Sequence, residues 1–217
     1  MGAIFKKELR NYFTSPLGYV FIAAFLVVLN SYFYIVNLAS ASSEISYVFE
    51  FMTFILIFLV PILTMRLFSE EFKQKTDQLL LTSPTSVFKI VSGKFLAAMT
   101  MFTIAIAITL VYIVILATFG QPNVKMLFAN YIAIYCVAAA FLSIGLFISS
   151  LTENQLISAV LSLAIFLGLY IVDYSGLGQS NAIVGNILYA ISIFRRYARI
   201  GTLGVLAISD LVFYVSV

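Results

Sequence analysis

The side chains that carry out most enzyme chemistry are scarce in this sequence. It contains no histidine and a single cysteine, Cys136, which lies inside an apolar run. Without histidine, a Ser-His-Asp triad and the usual zinc sites cannot form, and one cysteine permits neither an intramolecular disulfide nor a cysteine-rich metal site. These residue types argue against an enzyme and predict no cofactor in this chain.

The charged residues form short groups that do not resemble a phosphate-binding or proton-transfer site. Lys7, Glu8 and Arg10 lie close together near the N-terminus, and Glu70 and Glu71 are adjacent in the middle of the chain. A Gly-x-x-x-x-Gly-Lys-Ser/Thr loop, whose backbone amides would hold the phosphates of ATP, does not occur. If the protein uses ATP, a partner must hydrolyse it.

The composition indicates a membrane protein. The 217 residues have a mean hydropathy of +1.10, and 63% are hydrophobic while only 10% are charged. A soluble domain carries about 25% charged residues, so most of this surface must face the hydrocarbon of a bilayer. The net charge of +3 is consequently not a sign of nucleic-acid binding.

Five apolar stretches are long enough to cross a bilayer as helices, since a hydrocarbon core of ~30 Å takes about 20 helical residues. The ten-residue alternating pattern of a transmembrane β-barrel is absent. A shorter run at 206–217 predicts the start of a sixth span, truncated or half-inserted. The fold class is therefore an all-α polytopic membrane protein with a single transmembrane domain, 1–217. The predicted spans are 17–38, 48–65, 95–119, 127–150 and 156–172.

Lysine and arginine positions predict the orientation of the spans. Three of these residues precede span one and five lie in the segment 66–94, which falls on the same side of the membrane. Lys125 and the three arginines Arg195, Arg196 and Arg199 lie on the other side. The excess predicts a cytoplasmic N-terminus.

The first fifteen residues predict a helix that lies in the membrane interface. Phe5, Leu9, Tyr12 and Phe13 fall on one helical face, and Arg10 lies with the lysines outside it. An apolar face opposite basic residues is typical of interfacial helices. Such a helix either anchors span one or also contacts a cytoplasmic partner.

The segment 66–94 predicts a cytoplasmic helix-turn-helix between spans two and three. Its first helix continues from span two, Ser83-Pro84 ends it, and a second helix runs from near Thr85 into span three. Connections between packed helices usually take 2–8 residues. The length of this one favours a docking element for a cytoplasmic protein over a loop that rests on lipid headgroups.

The connector 174–205 is too apolar for an aqueous loop and predicts one or two re-entrant or interfacial helices on the outer side. Arg195, Arg196 and Arg199 within it either bind lipid headgroups or line an outer gate. Glu50 and Asp173 are ionisable residues near the outer ends of spans two and five. Such residues mark functional sites unless they reach interfacial water, as both could here.

The segment 66–94 resembles the permease subunits of type-2 ABC exporters, in the branch that includes the gliding-motility permease GldF and the nitrous-oxide-maturation permease NosY. The N-terminal Lys-Glu-Leu-Arg at 7–10 is also similar. The residues that carry the resemblance in the segment are Glu70, Glu71, Thr76, the leucines at 79–81, Thr82-Ser83-Pro84, Ile90, Gly93, Lys94 and Phe95.

The resemblance implies a six-helix permease in a bacterial inner membrane, paired with a second copy or a similar subunit. Each permease would dock a cytoplasmic ABC ATPase, which binds the ATP and Mg²⁺, and membrane lipids would surround the pair. The coupling element would lie between spans two and three and be supported by the N-terminal helix. Its expected contact residues are Glu70, Glu71, Phe72, Lys75, Thr76, Asp77, Leu80 and Thr82.

Two other functions remain open from the sequence. A non-transporting scaffold that recruits a cytoplasmic protein would have the same docking segment. A secondary carrier would need charged groups near the midplane and an internal repeat, and neither is clear here. An intramembrane enzyme would need a nucleophile–base pair or a metal constellation, which the sequence lacks.

Overall fold

The computed structural model describes residues 1–42, 44–76, 86–119, 123–174, 192–204 and 207–216. Throughout these ranges the secondary structure is helical, as the sequence predicts. The helices, in chain order, are α1 (Gly2–Thr14), α2 (Pro16–Phe33), which continues as a π-helical turn (Tyr34–Leu38), α3 (Ser46–Thr64), α4 (Ser69–Lys73), α5 (Val87–Thr109), α6 (Val111–Phe119), α7 (Val124–Ser150), α8 (Gln155–Tyr174), α9 (Ile193–Leu203) and α10 (Ile208–Ser216).

Within the described ranges, five helical stretches are long and apolar enough to cross a membrane, which confirms the five predicted apolar spans. The second stretch continues through α4 instead of ending at Met65, and the third begins at Val87 instead of Phe95. The stretches are Pro16–Leu38, Ser46–Lys73, Val87–Thr118, Val124–Ser150 and Gln155–Tyr174.

The centre of the bundle is formed by α3 and α7, whose side chains are mostly buried. The outer helices α2 and α8 pack on α3, while α5 packs on α7. Gly145 permits a close approach of α7 to α3, because a Cβ at this position would lie 2.5 Å from Thr64 Oγ1 of α3. Small residues at such crossings let two helix backbones approach closely inside a membrane.

The two ends of the bundle carry different short helices. At one end, α1 packs along α2 and the beginning of α5, and α4 follows directly after α3. At the opposite end, α9 packs against α3, α7 and α8, and α10 packs against α7. The end that holds α1 and α4 is the one that the sequence analysis assigns to the cytoplasm.

Candidate functional site

Lys94 lies near the beginning of α5 at the end of the bundle that holds α1 and α4, and its side chain is only 1% exposed. Its ammonium nitrogen Nζ is 3.2 Å from Glu8 Oε1 of α1 and 2.9 Å from Glu71 Oε2 of α4. It also donates a hydrogen bond to the carbonyl oxygen of Leu67, just after α3. Lys7 Nζ reaches the other oxygen of Glu71 at 3.1 Å.

These groups, Lys94, Glu8, Glu71, Lys7 and the Leu67 carbonyl, form the Lys94 cluster. A lysine ammonium has three N–H donors, and the two carboxylates and the carbonyl provide three acceptors. The Phe68 ring, 4.9 Å from Nζ, adds a cation–π contact. Because a buried charge is tolerated only when it is paired and hydrogen-bonded, the cluster holds four segments of the chain in one arrangement.

Ser149, near the end of α7, fixes the beginning of α4. Its Oγ accepts hydrogen bonds from the backbone N–H groups of Phe68 at 3.1 Å and Ser69 at 3.3 Å. In return, the Ser69 hydroxyl donates to the Ser149 carbonyl at 3.1 Å. The first N–H groups of a helix have no partner within it, so α7 provides the acceptor that this five-residue helix needs.

Ser149→Ala is expected to lower the free energy of unfolding by about 1–2 kcal/mol, because the two N–H groups lose their buried acceptor. The control is Ser150→Ala, since among the described residues the Ser150 hydroxyl bonds only to the Phe147 carbonyl of its own helix. Thermal unfolding of both variants in detergent provides the comparison. Equal stability of the two would show that Ser149 does not support α4.

Tyr12 ties α1 to the end of α3. Its buried hydroxyl donates a hydrogen bond of 2.9 Å to the Leu63 carbonyl. Burial raises the pKa of the Tyr12 phenol well above its ordinary value, with a smaller contribution from the Glu8 carboxylate. The hydroxyl therefore stays protonated and keeps its donor at any physiological pH.

The predicted coupling residues lie in different surroundings in the structure. Glu71 points into the Lys94 cluster, whereas Glu70 forms an ion pair of 2.9 Å with Arg66. Phe72 and Thr76 are half-buried, and Lys75 is exposed. Lys75 has a φ of +54°, a left-handed conformation that keeps the chain from continuing α4 beyond its end at Lys73. Asp77, Leu80 and Thr82 lie outside the described residues.

The residues of the predicted interfacial helix also differ in how deeply they are buried. Tyr12 is buried, Phe5 and Leu9 are half-buried, and Phe13 and Arg10 are exposed. The aromatic residues at 12 and 13 are adjacent, and neighbouring positions on a helix point about 100° apart. Of these two aromatic residues, Tyr12 therefore reaches the core and Phe13 does not, while Phe5 and Leu9 pack against the core from its edge.

The outer arginines are held by side chains and backbone of the same chain. Arg196 Nη1 and Arg199 Nη2 lie 3.2 and 2.6 Å from carboxylate oxygens of Asp210 in α10, whose side chain is fully buried. Arg195 Nε donates to the backbone carbonyl of Asp173 at 3.0 Å. Arg196 and Arg199 thus join α9 to α10, and Arg195 joins α9 to α8.

The sequence assigned no role to Asp210, gave Glu8 and Lys94 none beyond the resemblance, and indicated Ser149 only as a small residue that permits close helix contact. The position of Lys94 in the sequence does indicate an ion pair, because a lysine at the beginning of a long apolar helix needs a counter-ion. Its partners are 23 and 86 residues away in sequence, so their identity depended on the packing of α1 and α4. Asp210 carries the same kind of signal, as an acidic residue inside the last apolar run.

An apolar groove of about 670 Å³ lies beside the Lys94 cluster, between α4, the beginning of α5 and the end of α7. Phe72, Phe88 and Phe147 are among its lining residues. Across the described part of the chain, no group of three His, Cys, Asp or Glu side chains is placed to hold a metal ion. The absence of a cofactor from this chain stays a prediction.

Comparison with known proteins identifies a family. No curated protein matches the chain. One family model, described as ABC-2 family transporter protein, matches residues 2–191, which is more than half of the chain.

Proposed function

The chain belongs to the ABC-2 family of transporter proteins, and from this premise we propose that it is one of two permease subunits of an exporter. As a member it is a multi-pass membrane component that does not hydrolyse ATP, which is the task of a partner ATPase. The export direction, the pairing with a second copy or a similar permease, and a substrate path between the two are our proposal. The GldF/NosY branch is part of it.

The observation that carries the proposal is the Lys94 cluster. The cluster joins α1 and α4 to the end of α3 and the beginning of α5. A displacement of α4 by an ATPase would therefore move two spans together instead of bending a loop. Rigid-body motion of packed helices around a central path is the usual basis of alternating access.

The ATPase-contacting surface proposed here is the outward side of α4 and the residues after it. Lys73, Gln74 and Lys75 are exposed there. Glu71 lies on the opposite, buried side of α4, where its ion pair with Lys94 holds this helix in position. The expected contact residues remain Glu70, Glu71, Phe72, Lys75, Thr76, Asp77, Leu80 and Thr82.

The membrane placement proposed here follows the distribution of basic residues. The end with α1 and α4 would face the cytoplasm of a bacterium, with α1 in the interface of the inner membrane and Arg10 near its headgroups. The other end would face outward, where Arg199, 41% exposed in its side chain, is the outer arginine best placed to reach lipid headgroups. A nucleic-acid partner is not expected.

Lys75→Glu is expected to lower the amount of ATPase that copurifies with the protein from its native membranes by about tenfold. The reason is that the reversed charge repels the complementary charge of the partner at the interface. Lys125→Glu is the matched control, since Lys125 is also exposed but lies in α7 at the other end of the bundle. The readouts are ATP hydrolysis and mass spectrometry of the purified fraction. An equal loss with both variants would contradict docking at α4.

A further inference from the structure

One face of α3 remains open along the membrane and carries almost only aromatic residues. Tyr47, Phe51, Phe54 and Phe58 are exposed or half-buried, and they follow one another at helical spacing. Glu50, the other exposed residue in this part of α3, lies between them. Most of the remaining residues of α3 are buried in the bundle.

Aromatic residues of the two neighbouring helices extend this face into a groove. Tyr32 of α2 stacks on Phe51, with ring centres 3.9 Å apart, and Tyr170 of α8 lies 5.3 Å from Phe54. Tyr174 continues the row, 4.6 Å from Tyr170. The aromatic groove is defined here by Tyr32, Phe51, Phe54, Phe58, Tyr170 and Tyr174.

The exposed faces of the flanking helices have a different composition. On α2 they present Val20, Val27 and Val28, with Tyr19 near its beginning, and on α8 they present mostly aliphatic residues such as Leu156 and Val160. Aliphatic side chains are what lipid-facing helices need. The aromatic groove therefore differs from the aliphatic parts of these faces, and the ring faces that its own stacking leaves open can attract cations.

A carboxylate lies at the outer end of the aromatic groove. Glu50 Oε1 accepts a hydrogen bond of 3.1 Å from the Tyr174 hydroxyl. Within the described residues, Glu50 takes part in none of the ion pairs, whereas both carboxylates of the Lys94 cluster and Asp210 are paired. A carboxylate on a membrane-facing helix is costly and is retained where a cation or a polar path balances it.

We propose that the aromatic groove binds an amphiphilic organic cation, with the positive group at Glu50 and the apolar body on the rings of Phe51, Phe54 and Tyr170. Negative charge at one end and π faces along the rest complement such a molecule and disfavour an anion of equal size. That the bound cation is also the transported substrate rests on the proposed exporter function. Binding itself does not depend on the ATPase.

The probe is tetraphenylphosphonium, and tetraphenylborate is the anion of the same shape. Purified protein in lipid nanodiscs is titrated with each ion, and the signal of empty nanodiscs is subtracted. Glu50→Gln is expected to weaken tetraphenylphosphonium binding about tenfold and to leave tetraphenylborate binding unchanged or stronger. Glu44→Gln is the matched control, because Glu44 is an exposed carboxylate in the loop just before α3.

A second variant tests the rings without removing apolar surface. Phe54→Leu keeps a large apolar side chain but loses the π face, so it is expected to weaken tetraphenylphosphonium binding severalfold. Equal binding by Glu50→Gln and Glu44→Gln, or equal responses of the two ions, would overturn the proposal. These measurements use the protein without a partner, so a failure here leaves the docking test at Lys75 unaffected, and the converse also holds.

Discussion

Lys94→Met is expected to lower the free energy of unfolding by about 3–5 kcal/mol, the largest effect of any substitution considered. Methionine has an unbranched side chain of similar length, but it leaves the carboxylates of Glu8 and Glu71 without their shared buried cation. Removing one partner of a buried ion pair costs this much because the remaining charge is left uncompensated. Thermal unfolding in detergent, followed by size-exclusion chromatography, measures the loss.

The control for this prediction is Lys7→Met. Lys7 contacts the same Glu71 carboxylate at 3.1 Å, but its side chain is 54% exposed. Ion pairs that are this accessible to water contribute less than about 1 kcal/mol, and for the same reason Lys7 cannot replace Lys94. If the two variants unfolded at the same temperature, Lys94 would not be the centre of the cluster.

Gly145→Val is expected to destabilise the protein by about 3 kcal/mol, at the upper end of the usual cost of overpacking a core. The first added carbon would lie 2.5 Å from Thr64 Oγ1 and 3.0 Å from Thr64 Cβ. Thr64 is fully buried on α3 and cannot turn away. The two central helices must therefore separate, which also loosens their other contacts.

The control for the glycine prediction is Gly168→Ala in α8. A Cβ at Gly168 meets nothing within 4 Å, and alanine is favoured over glycine in a helix by up to about 1 kcal/mol. This variant is expected to be as stable as the unsubstituted protein or slightly more stable. Addition of Thr64→Ala to Gly145→Val should recover part of the loss. Equal stability of Gly145→Val and Gly168→Ala would contradict the close crossing of α3 and α7.

The five apolar spans were predictable because lipid requires about 20 consecutive apolar residues, whatever the helices pack against. The ends of the helices were less predictable. The third span begins at Val87, because residues 87–94 continue the helix while α1 packs against them. Hydropathy alone starts this span at Phe95, because residues 87–94 contain a serine and two lysines, although the sequence does predict a helix from near Thr85 that runs into it.

The side-chain partners were the least predictable part. An i,i+4 pair between Glu71 and Lys75 is favourable in an isolated helix, yet α4 ends at Lys73 and Glu71 instead reaches Lys94. The outer arginines suggested a lipid contact or a gate, whereas two of them converge on Asp210. In both cases the partner comes from a distant segment, and only the packed bundle brings the two together.

The separation of Glu8 from Lys94 also sets an order for biosynthesis. The two residues are 86 positions apart, so at about 5–20 residues per second the ribosome needs about 4–17 s to make the second after the first. During this interval spans one and two can enter the bilayer while α1 remains at the membrane surface. Packing of α1 on α2 and its hydrogen bond to the Leu63 carbonyl can form during this interval. The ion pair between Glu8 and Lys94 can form only after the third span has emerged, so insertion of spans one and two precedes the closing of this end.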